Sequence, residues 1–223
     1  MDYKKNLMYF SRNLIIIPII LIIFALFLLG GRGWFFGLLI GGGAGYWIYV
    51  MITNSTDASI DAAASGAIQN IKDKALKKLG LDADQVTEID PIIFEGYYFR
   101  NLNTQFLVRK GKDGLLRSSN YQVTVFFFSG EQVYCYEYMF SLIAKEQREA
   151  TDEYFYRDIV SISTVSEDVK FLLKKLSQIR TVEQFKLTTT GGTSISAAIK
   201  VNDSSVERSI NGMKQLLRNK KMN

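Results

Sequence analysis

The chain has 223 residues, 27 Lys and Arg against 22 Asp and Glu, one cysteine and no histidine. The missing histidines exclude Ser-His-Asp and Cys-His catalysis and imidazole metal ligands, and the lone cysteine excludes an intrachain disulfide. The net charge of +5 sits at the chain ends, +2 over residues 1–12 and +4 over residues 206–223, so no basic face for nucleic acid is left between them.

Lys4, Lys5 and Arg12 precede an apolar run from Leu14 to Gly30, and a second run extends from Trp34 to Thr53. Each approaches the roughly 20 residues that cross a bilayer. Gly30-Gly31-Arg32-Gly33 between them is a tight turn, and Arg32 is the one charge in residues 14–53. The pattern predicts a transmembrane helical hairpin with spans over about 13–30 and 34–53. A cleaved signal peptide is the rival reading, but no small-residue cleavage site follows and a second apolar run comes directly after. Gly33, Gly37, Gly41 and Gly45 recur every fourth residue, which aligns them along one helix ridge. In lipid such a ridge lets a second backbone approach, from the first span or from another copy. The basic N-terminal flank places that end inside, so residues 54–223 return to the cytoplasm. The expected location is the inner membrane, multi-pass, with both termini cytoplasmic. The acceptor patterns Asn54-Ser55-Thr56 and Asn202-Asp203-Ser204 are then chance matches for glycosylation.

Residues 54–89 read as a linker. Asp57 is an N-cap candidate, Gly80 a C-cap, and Ile60, Ala64, Ile68, Ile71, Ala75 and Leu79 keep helical spacing between them. Lys72, Lys74, Lys77 and Lys78 load the last turns. A connector packed on its own domain is favoured over a stalk or a membrane-surface helix, because the apolar face is mostly alanine.

From Asp90 the pattern turns to strands, which fill residues 90–223. Ile92 to Phe99 is β-branched and aromatic. Thr104 to Arg109 and Leu115 to Ser119 flank an Asp-Gly turn, and Tyr121 to Phe128 and Gln132 to Ser141 flank Ser129-Gly130-Glu131. Within the last of these, Tyr134, Tyr136, Tyr138 and Phe140 share one face, and Val133, Cys135, Glu137 and Met139 the other. Tyr154 to Thr164 is a further strand, and Phe185 to Thr190 pairs with Ser194 to Val201 around Gly191-Gly192. Val169, Leu172, Leu173, Leu176 and Ile179 suggest an inserted helix within residues 166–183. The chain closes with an amphipathic helix, capped by Asp203 or Ser204 with Glu207, whose apolar face is Val206, Ile210, Met213 and Leu217. The fold class is α+β, with about seven antiparallel strands in a small barrel or sandwich closed by that helix.

The run Tyr154-Phe155-Tyr156-Arg157-Asp158-Ile159-Val160-Ser161-Ile162, the hairpin Phe185-Lys186-Leu187-Thr188-Thr189-Thr190-Gly191-Gly192 and the closing helix resemble the bacterial pleckstrin-homology-like (PH-like) domains. The resemblance covers residues 90–223 and implies a small barrel that binds without catalysis. It also implies a headgroup or partner contact on the first hairpin, at Arg109, Lys110, Lys112 and Arg117. A solvated, charged hairpin tip is the plainer reading of the same residues.

No catalytic set emerges from the rest of the chain. Cys135 alternates with tyrosines in a strand, as a buried small hydrophobe does. Thr188 to Ser194 resembles a phosphate loop only superficially, since it lacks the lysine and leads into a strand. Glu146, Glu149, Asp152 and Glu153 fall in a charged stretch that reads as a solvated loop or helix face. The expected function is therefore a non-enzymatic, membrane-anchored binding or scaffold protein without a cofactor. Its partners are the lipid bilayer and a protein or a second copy of the hairpin, and no nucleic acid. The alternative is an oligomeric effector or channel assembled through the glycine ridge and gated by a ligand of the barrel.

Overall fold

A computed structural model describes residues 1–11, 16–31, 33–54, 56–173, 176–200 and 204–222. Arg12, Leu14, Arg32, Ser55 and Asp203, on which parts of the topology, glycosylation and capping readings rest, lie outside the described residues. The chain divides into two compact units, Met1–Ala67 and Ile68–Asn223.

The first unit is helical: α1 (Tyr3–Phe10), α2 (Ile16–Leu29), α3 (Trp34–Asn54) and α4 (Asp57–Ala67). Asp2 caps α1 by accepting the Lys5 N–H at 3.1 Å. Pro18 lies in the first turn of α2, where the missing N–H has no helical partner to lose. Tyr9 is fully buried and its hydroxyl donates to Asp57 Oδ1 at 2.7 Å. Asp57 is thus engaged by α1, and the cap of α4 is Thr56, whose Oγ1 accepts the Ser59 N–H at 3.2 Å.

The transmembrane hairpin is corrected here. Among the described residues no helix is long and apolar enough to cross a membrane. α2 has 14 residues, which rise roughly 21 Å where a hydrocarbon core measures about 30 Å. α3 has 21 residues and likewise does not qualify among the described residues. The multi-pass inner-membrane location that depended on these spans falls with them.

The second unit begins with α5 (Ile71–Leu79). The helix expected over 57–79 is therefore broken, by a turn at residues 68–70 in which the Ile71 N–H reaches the Ile68 carbonyl at 3.0 Å. Gly80 ends α5 in the left-handed region, with φ 68°. A 3-10 turn at Ala83–Gln85 follows. Among the described residues nine strands come next: β1 (Ile92–Tyr98), β2 (Val108–Lys110), β3 (Leu116–Ser118), β4 (Asn120–Phe128), β5 (Gln132–Ser141), β6 (Gln147–Phe155), β7 (Ile159–Leu173), β8 (Leu176–Thr189) and β9 (Ser194–Ala198). The closing helix is α6 (Ser204–Met222).

All pairings are antiparallel, in a four-stranded sheet β1-β4-β5-β6, a small hairpin β2-β3 and a three-stranded sheet β7-β8-β9. The barrel expected from the sequence is corrected too, because among the described residues no sheet closes on itself. The reason is the join between β6 and β7. There the chain makes a 3-10 turn at Tyr156–Asp158 instead of pairing, so each of these strands stays at the edge of its own sheet. The charged stretch 147–153 is that edge strand, and the presumed helix within 166–183 is the outer part of the long β7–β8 hairpin. There Val169 and Phe171 pack with Val108, Phe99 and Phe106.

The main core lies between the two larger sheets and α6. Phe94 stacks on Phe185 at 4.4 Å and meets Phe126 edge-on at 5.9 Å. Ile210 and Met213 of α6 complete the cluster, which is sealed by Leu187, Ile159 and Cys135.

Candidate functional site

The inner face of the four-stranded sheet changes character along its length. One half is apolar, with Ile92, Phe94, Phe126, Phe128, Val133 and Cys135 in the core. Further along the same strands, on the same face, stand Gly96, Gln122 and Glu137. The divide is β9. A Cβ at Gly96 would meet Ala198 Cβ and the Ile199 carbonyl at 3.1 Å, so β9 crosses β1 backbone to backbone. Gln122, nearly fully buried, satisfies the outer edge of β9 as another strand would. Its Oε1 accepts the Ala198 N–H and its Nε2 donates to the Ser196 carbonyl, both at 2.9 Å.

Beyond this divide lies a cleft of about 760 Å³. The four-stranded sheet supplies Tyr98, Gln122, Glu137, Asp152 and Tyr154; Val165 to Glu167, Gln184, Lys186 and Thr193 to Ser196 form the opposite wall, with Arg100 at the margin. Arg100 is engaged by Glu167. Gln122 Nε2 also donates to Glu137 Oε1. Burial raises the Glu137 carboxyl above its usual range against the pull of the Gln122 bond, and the nearby Asp152 adds to the rise. Tyr154 is pushed up to about 12 by burial, with Asp152, Cys135 and Glu137 adding to it. The Cys135 thiol is raised by burial and by the same carboxylates, which makes it a poor nucleophile.

The opposite face of the same strands is occupied. Tyr136, Tyr138 and Phe140 stack in sequence, and α5 lies across β4 and β5 with Lys74 Nζ 3.4 Å from the Tyr138 ring centre. Lys74 and Lys78 each reach Glu149 at 2.7 Å. Burial opposes ionisation of Glu149, but the two lysines outweigh it and the carboxyl is lowered.

The basic hairpin expected to contact a headgroup is arranged differently from its sequence impression. Arg109 and Arg117 are cross-strand partners. Arg117 is only 3% exposed and forks onto Asp113, with Nη1 at 3.0 Å from Oδ1 and Nη2 at 2.7 Å from Oδ2. That guanidinium holds Asp113 down at about 2. Asp113 also accepts the Leu115 N–H at 3.0 Å, so Arg117 fastens the turn from within. Lys110 and Lys112 are exposed and Arg109 is half-buried.

The glycine ridge faces α2 of the same chain over most of its length. A Cβ at Gly37 would fall 2.8 Å from the Ala25 carbonyl oxygen and 3.0 Å from Leu29, at Gly33 it would fall 3.3 Å from Leu28, and at Gly41 it would sit 3.5 Å from Ala25 Cβ. Gly45 has nothing within 4 Å, and neither have Gly42 and Gly43.

The cleft was the feature least visible in the sequence. Asp152 falls in a stretch that reads as a solvated loop or helix face, and Glu137 is one member of an alternating face. The available signal was that Glu137 interrupts an otherwise apolar row, Val133, Cys135 and Met139, at an inward position. Among the described residues no group of three or more His, Cys, Asp or Glu side chains is placed to hold a metal. No family model, curated protein or solved structure matches this chain.

Proposed function

We propose that the chain is a non-enzymatic binding protein that associates with a lipid surface through the α2–α3 pair and carries a binding cleft in its β-sheet unit. The observation that carries the lipid reading is the exposure of large apolar side chains around both helices. Phe27 is 81% exposed, Phe36 64%, Leu26 63% and Ile23 62%. A single isolated hydrophobe is ordinary on a surface, but a continuous patch marks an interaction site. A protein partner covers one face and meets a polar rim. Here the described residues from Ile16 to Thr53 include no charged side chain, and large apolar residues are exposed outside the α2–α3 and α1–α3 contacts. Fluid hydrocarbon can surround such a pair on its remaining sides. Trp34, Tyr46, Trp47 and Tyr49 are the aromatic types that settle at headgroup depth. Shallow seating of this kind requires no helix to cross.

The binding part of the reading is supported by the absence of histidine from the sequence and by the mixed polar and aromatic cleft. The antiparallel sheets of four and three strands, followed by one helix, are the features that favour the PH-like resemblance.

Flotation of the full chain with phosphatidylcholine vesicles in 1 M salt tests the lipid seat, because salt at that strength reduces the reach of charge to about 3 Å. Co-flotation is expected for the native protein and its loss for Phe27→Asp combined with Phe36→Asp. Flotation that requires anionic lipid and disappears in salt would overturn the reading and point to the basic hairpin.

A further inference from the structure

One short helix holds the cationic side chains of the helical unit. Among its described residues these are Lys4 and Lys5, neighbours on α1. The buried side of α1 is formed by Asn6 and Tyr9, and Tyr9 is tied to Asp57 at the start of α4. Asp57 follows closely on the end of α3, and α1 also touches α3. The helix is therefore fixed at the end of α3 that lies away from the turn with α2. Its outward side is not that of a helix made for water. At about 100° per residue, Lys4, Leu7 and Met8 lie opposite Asn6 and Tyr9, with Lys5 and Tyr3 on the flanks. Leu7 is 41% exposed and Met8 is half-buried. Lys4 is exposed and Lys5 half-buried, and neither closes an ion pair among the described residues. Asp2, the acid beside them in sequence, is engaged as the cap of the same helix. Cations set around outward apolar side chains, on a helix that borders an exposed apolar pair, are the pattern of an interfacial helix. The lysine stems follow the hydrocarbon, and the ammonium groups reach the phosphates.

We propose that α1 is the headgroup-binding element of the lipid seat, and that Lys4 and Lys5 give it a preference for anionic phospholipid. The inference rests on the lipid reading and adds a lipid class to it. Each lysine at an anionic surface strengthens binding by about fivefold, so the two together favour such a surface by about thirtyfold. The attraction reaches about 10 Å at 0.1 M salt and about 3 Å at 1 M, so it fades with salt while the burial of apolar surface does not.

The test is flotation of the full chain with vesicles of phosphatidylcholine alone and with vesicles of phosphatidylcholine and phosphatidylglycerol in equal parts. The native chain is expected to favour the mixed vesicles by about thirtyfold at 0.1 M salt and to bind both alike at 1 M. Lys4→Gln combined with Lys5→Gln should abolish the preference. Its flotation with phosphatidylcholine at 1 M salt, where charge has little reach, should match the native chain and shows that the variant is folded. Lys110→Gln combined with Lys112→Gln, on the basic hairpin, should keep the preference. Three results would overturn the assignment to α1 and leave the lipid seat standing: equal binding of both vesicles at low salt, a preference that survives Lys4→Gln with Lys5→Gln, or one lost with the hairpin pair. Binding that needs the mixed vesicles and is lost with the two α1 lysines would keep the α1 contact and remove the apolar seat. Failure to float with either vesicle would overturn both.

Discussion

At the scale of single residues, Arg117 shows how the same side chain can be read as a contact or as a fastener. In sequence it joins Arg109, Lys110 and Lys112 in a basic patch. In the structure it is buried and forked onto Asp113, closing a hairpin whose turn contains Gly114 at φ 83°. The Asp113 carboxyl is lowered from 3.8 to about 2 chiefly by the hydrogen bond from Arg117. A depressed carboxyl stabilises the fold above its unfolded value, and this contribution disappears as pH falls through its folded value. The hairpin should therefore hold above about pH 3.8 and loosen as pH approaches about 2. Arg117→Met should return the Asp113 titration, followed by NMR, to near 3.8 and lower the thermal midpoint at neutral pH. A titration still centred near 2 would show that Arg117 does not hold the turn.

Among the elements, the sequence was most legible where one period ran without competition. β1, β4 and β5 follow β-branched and aromatic runs, and β5 matches its expected bounds. The two-face alternation of β5 also holds, because Tyr136 and Tyr138 meet α5 while Val133 and Cys135 enter the core. Legibility failed at β6, whose residues Arg148, Glu149, Asp152 and Glu153 read as solvated because an edge strand faces water along one side. It failed again in the β7–β8 hairpin. There Val169 and Phe171 serve a satellite core with Val108, and apolar residues three and four apart imitated a helix. The cleft depends on both misread elements, so its walls were not assembled from the sequence even though Glu137 was on a named face. The four-residue glycine ladder is the opposite case, since spacing alone put the residues on one ridge but could not rank them. The backbone contact at Gly37 predicts that Gly37→Ala destabilises the α2–α3 pair by about 1–3 kcal/mol through overpacking. Gly41→Ala, with ordinary contact distance, should gain up to about 1 kcal/mol from helix propensity. Denaturation of the two variants in micelles, followed by tryptophan fluorescence, compares them directly, and equal effects would remove Gly37 as the point of close approach.

On the scale of the whole molecule, the chain combines a helical unit with unusually exposed apolar residues and a β-sheet unit with a buried core and a polar cleft. Among the described residues no helix is long and apolar enough to cross a membrane, yet Phe27 and its neighbours are too exposed for water alone. Shallow immersion reconciles the two. Trp34 and Trp47 are the two tryptophans of the sequence, and both lie on α3, so they report on the lipid seat without labelling. The most direct measurement is tryptophan emission of the full chain with vesicles whose acyl chains are brominated. The account predicts a blue shift on adding vesicles, strong quenching by the brominated chains and protection from aqueous iodide. Unshifted emission, indifferent to bromine and as open to iodide as without vesicles, would contradict it.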